Sequence, residues 1–215
     1  YMKPVVLAIL DGWGHSARHT GNAIQMAKKP TIEMLEATYP RVLIQASGRS
    51  AGMNFGEIGN SEVGHINLGA GRIVQQYQTR IHNAIKDESF FSNDAFMDAF
   101  SHAKANGSAV HIVGLLTGGT VHADFAHLTA LITLARKIEF SNVYLHLFLD
   151  GKDSGLEDGI PLLEQLMLVT TEQHTGKVAT LTGRNFAMDR DKHWDMTKQA
   201  YDAIASGVGV DASLP

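Results

Sequence analysis

Several polar residues of this sequence follow directly after apolar runs. Asp11 comes after the run Val5 to Leu10, and Ser61 lies in the glycine-rich stretch 47–71, which comes after a run at 41–46. Later runs are followed by the segments 117–122, 150–153 and 183–184, and then by Arg190. Ligands of open parallel sheets bind beyond the carboxyl ends of the strands. These residues are therefore the candidates for a functional site.

Their side chains suit phosphoryl transfer, in which a negatively charged group needs cations and oriented donors. Arg184 and Arg190 offer planar forks of donors that match phosphate oxygens. Ser61 is a candidate nucleophile, although its hydroxyl needs a base or a metal ion and the sequence has no obvious base beside it. Asp11 is a candidate ligand for a hard cation.

Each residue also has a simpler interpretation. A serine followed by an acid is typical of a helix N-cap, and an acid after a strand often caps a turn. Single histidines and arginines such as His122 and Arg190 are usually structural or solvent-exposed. The joint pattern at successive predicted strand ends nevertheless favours a site.

The spacing of apolar residues predicts an α/β fold, with a mostly parallel sheet flanked by helices. The predicted strands are Val5 to Leu10, Arg41 to Ala46, Ala109 to Leu116, Val143 to Leu149 and Val178 to Leu181. The predicted helices cover 22–38 with a break at Pro30, a segment beginning near Ser61, and 124–137, 158–173 and 191–205.

Composition excludes several classes of protein. The 215 residues are 44% hydrophobic, which is typical of a globular domain, and the net charge of -4 includes no basic block for nucleic acid. No apolar run is long enough to span a membrane. The absence of cysteine excludes disulfides and thiolate chemistry and fits a reducing cytoplasm. We therefore expect a small-molecule partner.

Two motifs resemble a known family. The segment Leu10-Asp11-Gly12-Trp13-Gly14, together with Gly59-Asn60-Ser61-Glu62-Val63-Gly64-His65, resembles the cofactor-independent (2,3-bisphosphoglycerate-independent) phosphoglycerate mutases. The similarity continues in order through 69–74, 114–116, 148–151, 182–184 and 188–192. It extends over essentially the whole chain.

The resemblance implies an isomerase of glycolysis and gluconeogenesis that interconverts 3-phosphoglycerate and 2-phosphoglycerate through a phosphoserine on Ser61. It implies two Mn²⁺ ions in the full-length enzyme, one of them bound by Asp11 and Ser61, and no 2,3-bisphosphoglycerate. The substrate-binding residues that it implies are His122, Lys152, Asp153, Arg184 and Arg190. It further implies a cytoplasmic protein, monomeric at full length.

The resemblance also implies a domain organisation. Residues 1–75 would form the amino-terminal part of an alkaline-phosphatase-like metal domain with the nucleophile serine, and 76–215 an incomplete inserted phosphotransferase domain that binds substrate. The family's chains are more than twice as long, and the other metal ligands lie in the part that this chain lacks. We therefore expect this chain to be inactive alone, and its unpaired apolar strands favour self-association.

Two departures from the family pattern leave alternatives open. Where the family has serine-aspartate-glycine-glycine-valine-histidine-serine-histidine, this chain has 117–124, in which Gly118 replaces an acid and Asp124 replaces a histidine. Lys152 replaces an arginine and loses its bidentate geometry. The alternatives are a non-catalytic phosphoglycerate-binding module and a related metal-dependent phosphohydrolase or phosphopentomutase. The segments around Arg184 and Arg190 favour the mutase over the latter.

Overall fold

Three apolar runs pair side by side as parallel strands. A computed structural model describes residues 3–212, so the first two and last three residues of the predicted domains lie outside the described range. The strands are β1 (Val110–Leu116), β2 (Val143–Leu149) and β3 (Lys177–Gly183), in the order β1-β2-β3. Val110 pairs with Val143 and Leu116 with Leu149. Because the three strands are parallel, their carboxyl ends lie at the same end of the sheet.

Helices connect and flank these strands. They are α1 (Ala23–Met26), α2 (Pro30–Thr38), α3 (Ser61–Ala70), α4 (Tyr77–Lys86), α5 (Asp94–Ala105), α6 (Phe125–Lys137), α7 (Gly159–Gln173), α8 (Arg184–Ala187) and α9 (Trp194–Ser206). Short 3₁₀ turns cover Gly48–Ala51 and Ser89–Ser92. Asp124 caps α6 by accepting a hydrogen bond from Ala126 N, and His174 ends α7 in the left-handed conformation. The predicted α/β class, with a parallel sheet flanked by helices, is confirmed.

The main apolar core lies between this sheet and its helices. Its fully buried members include Leu116, Ile132, Leu145, Leu147 and Leu166. Full burial of such a side chain contributes about 1.5 to 3 kcal/mol. The sheet that positions the candidate polar residues is therefore stabilised by a packed apolar core.

The chain divides into two compact units, residues 1–79 and 80–215. The sequence predicts a boundary between residues 75 and 76. The assignment of the two parts to a metal domain and a substrate-binding domain stays a prediction. No helix in the part of the chain described here is long and apolar enough to cross a membrane.

Two predicted strands are wrong. Residues 5–10 and 41–46 form no strand, and they are exposed instead of buried. Val5 is 94% exposed and Val42 is 81% exposed. A parallel strand requires a neighbouring strand to satisfy its backbone groups. The described residues of unit 1–79 provide none.

Three helices were not predicted: α4, α5 and the four-residue α8. Helix α5 is amphipathic and buries Phe100 and Ala103. Asn93 caps it by accepting hydrogen bonds from Ala95 N and Phe96 N. This asparagine and the apolar spacing were the available sequence signals.

Candidate active site

Ser61 is the first residue of α3, and its hydroxyl is not used to cap that helix. Asn60 is the cap, and its Oδ1 accepts a hydrogen bond from Val63 N at 3.0 Å. Ser61 Oγ instead donates to Asp11 Oδ2 at 2.8 Å. Both residues are exposed. The structure therefore brings the candidate nucleophile and the candidate metal ligand together in the first unit, across 50 residues of sequence.

A tight turn and a close backbone contact position this pair. Trp13 N donates to Leu10 O at 3.1 Å, and Gly12 adopts a φ of 81° in the turn. A side chain on Gly59 would put its Cβ 1.9 Å from Ala46 O, so only glycine allows this contact before Ser61. The sequence predicts that Asp11 lies at the end of a strand, but the residues before it form no strand and are exposed.

Asp11 and Ser61 can both ligate a metal ion. Both offer oxygen donors, which hard cations such as Mg²⁺ and Mn²⁺ prefer. Adjacent ligands of a six-coordinate ion with bonds of about 2.1 Å lie about 3 Å apart. The observed 2.8 Å between Oγ and Oδ2 fits such a pair. Two protein ligands leave most of the coordination shell to other donors.

The second unit has a cavity of about 320 Å³ beyond the carboxyl ends of its strands. Four of the predicted substrate-binding residues line it: His122, Lys152, Arg184 and Arg190. They follow different strands of the sheet, since His122 comes after β1, Lys152 after β2, and both arginines after β3. The volume is that of a small-molecule site.

Arg184 is held by two carboxylates. Its Nη1 donates to Asp150 Oδ1 at 2.8 Å and to Asp153 Oδ2 at 2.5 Å. Both contacts use Nη1, whereas the guanidinium fork has further donors on Nε and Nη2. Asp153, the fifth predicted substrate-binding residue, therefore contacts Arg184 and is not among the residues that line the cavity. Its Oδ2 is 3.8 Å from His122 Nε2.

Asp150 is the buried anchor of this network, with a side chain that is 1% exposed. Burial alone would raise the pKa of Asp150. Hydrogen bonds from Thr117 Oγ1, from the backbone N–H of Lys152 and from Arg184 outweigh that effect and hold the pKa well below its usual range. The carboxylate therefore stays ionised and keeps Arg184 oriented.

The loop after β1 packs closely on the loop after β2. Gly119 N donates to Thr117 Oγ1 at 2.9 Å. A Cβ on Gly119 would lie 2.3 Å from Asp153 O, so a larger residue would push the two loops apart. Gly119 is therefore the residue that lets the loop bearing His122 approach the loop bearing Asp153.

Sequence reasoning missed two contributors to this cavity. Asp189 Oδ1 lies 2.8 Å from His193 Nδ1, and both residues line the cavity beside Arg190. The hydrogen bond with Asp189 raises the pKa of His193. Asp189 belongs to a recognised motif, so it could have been found. His193 had no separate signal.

Comparisons with known proteins agree with these observations. The family model described as BPG-independent PGAM N-terminus matches residues 81–214. The chain is 48% identical over 206 residues to 2,3-bisphosphoglycerate-independent phosphoglycerate mutase 1 of Methanosarcina barkeri, covering 96% of this chain and 40% of that protein. It is 46% identical over 211 residues to the 2,3-bisphosphoglycerate-independent phosphoglycerate mutase of Clostridium beijerinckii, covering 98% and 41%.

A solved structure is similar as well. It is a crystal structure of Leishmania mexicana phosphoglycerate mutase at low cobalt concentration, with a TM-score of 0.66 and 27% identity. The similarity covers 84% of this chain and 34% of that chain. The present chain spans about two fifths of the length of the curated relatives it matches.

The fold and the cavity define an α/β protein with a cation-lined site at the carboxyl ends of parallel strands. Within that class, the chain belongs to the BPG-independent PGAM N-terminus family. The recognised family is confirmed. The roles of the individual site residues stay predictions, even where the structure brings those residues together.

Proposed function

We propose that this chain supplies the nucleophile and the substrate-binding cations of a cofactor-independent phosphoglycerate mutase. The enzyme would be an isomerase that interconverts 3-phosphoglycerate and 2-phosphoglycerate without 2,3-bisphosphoglycerate. The observation that carries the proposal is the 2.8 Å hydrogen bond from Ser61 Oγ to Asp11 Oδ2. The activity named for the relatives at 46 to 48% identity supports the same assignment.

The proposed reaction has two symmetrical halves. Ser61 Oγ forms a bond to phosphorus while the bond from phosphorus to the glycerate oxygen breaks, and the proton from Oγ ends on that oxygen. Transfer back to the other glycerate oxygen reverses these steps and frees the serine. Asp11 accepts the hydroxyl hydrogen, so it orients Oγ and is within reach of the proton that moves.

The second unit would hold the phosphoglycerate. Arg184 and Arg190 suit the phosphate and carboxylate oxygens, while Lys152 supplies a point charge and His122 a ring nitrogen. Asp150 keeps Arg184 oriented before substrate arrives, because its carboxylate remains ionised. An oriented cation loses little entropy when the anion binds.

We also propose that the reaction depends on a divalent metal. Asp11 and Ser61 would be two of the ligands of one ion, and Mn²⁺ suits their oxygen donors. When bound, such an ion would lower the proton affinity of the serine hydroxyl and offset the charge of the transferred group. We assign the remaining ligands and a second ion to the part of the relatives' length that this chain does not span. The chain alone would therefore be inactive.

The test is conversion of 3-phosphoglycerate by the complete gene product in the presence of Mn²⁺. We expect 2-phosphoglycerate to form, Ser61→Ala to abolish its formation, and the 215-residue chain alone to produce none. Ser50→Ala, which changes an exposed serine of the same glycine-rich stretch, is the matched control and should keep full activity. Equal activity of Ser61→Ala and the unaltered protein would exclude this nucleophile. Release of inorganic phosphate instead of 2-phosphoglycerate would favour the related phosphohydrolase.

A binding module is the second candidate function, because the cation-lined cavity is built entirely from residues of the second unit. Calorimetric titration of the 215-residue chain with 3-phosphoglycerate tests it. Binding that Arg184→Ala abolishes, without turnover by the complete gene product, would favour the module.

Further properties follow from the proposed activity. The mutase would act in glycolysis and gluconeogenesis in the cytoplasm, with a small molecule as its partner, as a monomer at full length. The exposed runs 5–10 and 41–46 favour self-association of the chain described here. Sedimentation analysis over a range of concentrations measures this association.

A further inference from the structure

Two histidines and one aspartate form a cluster in the second unit, apart from the cation-lined cavity. His82 lies in α4, Asp124 caps α6, and His127 lies in the first turn of α6. His82 Nε2 is 3.1 Å from Asp124 Oδ2, and the rings of His82 and His127 are 4.9 Å apart in a T-shaped arrangement. The three potential ligand atoms all lie within 4.8 Å of one another.

Local structure explains how the cluster forms. Residues three apart at the start of a helix lie on the same side of it, so Asp124 and His127 face the same neighbour. Asp124 uses Oδ1 to accept the hydrogen bond from Ala126 N, which leaves Oδ2 facing His82. Asp124 also stands where the family pattern has a histidine, so this chain has a carboxylate at that position.

His127 has an unsatisfied nitrogen in this cluster. Its Nε2 is shielded from solvent and makes no hydrogen bond to any residue of the described chain. Burial lowers the pKa of His127 and the charge of His82 lowers it further, while Asp124 opposes both effects. A neutral imidazole is the form of histidine that ligates a metal. A buried nitrogen without a partner is costly unless something binds it.

The geometry points to a divalent metal site formed by His82, Asp124 and His127, of the class that takes Zn²⁺ or Co²⁺. Two imidazoles and one carboxylate are a ligand set of three-residue zinc sites. Ligands of a tetrahedral ion with bonds of about 2.0 to 2.1 Å lie about 3.3 Å apart, close to the observed 3.1 Å between Nε2 and Oδ2. The candidate ligand atom of His127 lies within 4.8 Å of the other two, so the site closes by a shift of that ring toward them.

The fourth coordination position would be open to solvent. Asp124 and His127 line a cavity of about 270 Å³ that also contains His122, and a water molecule in it could complete the shell. A bound ion would tie α4 to the start of α6, next to the loop that carries His122. The site uses nitrogen donors, and so differs in metal preference from the oxygen pair Asp11 and Ser61.

Titration of the 215-residue chain with Co²⁺ tests this inference. The protein used for the titration carries the substitution Asp11→Asn and has no affinity tag. Neither the Asp11–Ser61 pair nor a tag can then contribute to the signal. We expect one Co²⁺ per chain with the strong visible absorption of a four-coordinate ion, and Zn²⁺ should displace it. His82→Gln and His127→Gln should each weaken binding by at least about 100-fold, because loss of even an outer hydrogen-bond partner costs 10- to 100-fold.

Two control variants make the outcome specific. His102→Gln, which changes an exposed histidine of α5, should leave Co²⁺ binding unchanged. Asp189→Asn should also leave it unchanged, because we assign the signal to His82, Asp124 and His127. Asp189, Asp191 and His193 are the other group that could hold an ion within residues 3–212. Loss of the signal in Asp189→Asn, with retention in His82→Gln, would overturn the assignment. Absence of any four-coordinate spectrum would overturn the site itself.

A thermal measurement separates loss of the site from loss of folding. Zn²⁺ that binds only the folded chain raises the Tm of the unaltered protein. Asp124→Asn keeps an oxygen that can cap α6 but removes the carboxylate charge, so its Tm without metal should change little and the Zn²⁺-dependent rise should be lost. An equal rise in both proteins would contradict the proposal. Because the test uses binding and stability alone, failure of the mutase proposal would leave its outcome unaffected.

Discussion

Both units of the chain contain apolar runs of similar character. The runs of the second unit form strands, whereas those at 5–10 and 41–46 in the first unit do not. In the second unit, Val143–Leu149 pairs on both sides and Leu145 is completely buried. In the first unit, the run at 5–10 has no paired strand among the described residues, and Val5 is 94% exposed. Strand formation therefore depends on available neighbours as much as on the run itself.

The same contrast holds for the polar sites. Arg184, Asp150 and Asp153 form a largely buried network, anchored on the sheet. Ser61 and Asp11 form an exposed pair held by a helix start and a turn. The substrate-binding part of the proposed site is thus preorganised within this chain, whereas the nucleophile pair has little around it.

Hydrogen exchange should show the largest difference between the two units. We expect backbone amides of 5–10 and 41–46 to exchange at rates of an unstructured peptide. Amides of β2 should exchange at least about 10³-fold more slowly, because exchange there requires opening of the core. Mass spectrometry of peptides from the exchanged chain measures both. Strong protection of the amides of 5–10 at low protein concentration would contradict this difference between the two units.

A matched pair of core and surface substitutions should give the next largest effect. Leu145→Ala removes a fully buried side chain from β2 and should lower the free energy of unfolding by about 2 to 5 kcal/mol. Val42→Ala alters an exposed side chain of the first unit and should change it by less than about 0.5 kcal/mol. Urea denaturation followed by circular dichroism gives both values. A comparable loss of unfolding free energy in Val42→Ala would mean that the run at 41–46 is buried in solution.

Removal of the charge at Asp150 should have a smaller effect that depends on pH. Its pKa is depressed in the folded state, so its contribution to stability is present above the unfolded value of about 3.9 and is lost as the pH falls below it. Asp150→Asn should lower the free energy of unfolding by about 2 kcal/mol at neutral pH. Below about pH 4, the stability of the variant should depend less on pH than that of the unaltered protein. Asp11→Asn, at an exposed carboxylate, should leave the urea midpoint at neutral pH unchanged. Identical profiles for both variants would contradict this difference.

The smallest effect should appear in the titration of His193. Its hydrogen bond with Asp189 raises the pKa of the ring, so the proton is lost above the ordinary value of about 6.5. Asp189→Asn should bring the pKa back toward that value. Any associated stability would be present at low pH and lost as the pH rises through the folded pKa. Proton NMR of the histidine ring follows the titration. An unchanged midpoint in the variant would mean that the hydrogen bond with Asp189 does not raise the pKa of His193.

The sequence predicted the second unit better than the first. The runs around Leu145 and Leu116 became strands because periodicity and burial agree there, and the polar residues after them converge on one cavity. The strands at 5–10 and 41–46 were wrong because a local pattern does not reveal whether a partner strand exists. The Ser61–Asp11 pair came from a motif, and no spacing rule joins residues 50 positions apart.

Long-range contacts explain the other omissions. Asp150 was visible at a strand end, but its contact with Thr117 requires the register of two neighbouring strands. His82 lies in a helix that was not predicted, so its contact with Asp124 could not be anticipated.

The order of the sheet also has a kinetic consequence. Because β1, β2 and β3 are neighbours in both sequence and space, each strand can add to the edge formed by the one before it. No strand of this sheet must wait for a segment beyond the next strand, although each pairing still closes a loop that contains a whole crossover helix. The second unit can therefore assemble progressively from β1 onwards, with a single βα unit added at each step.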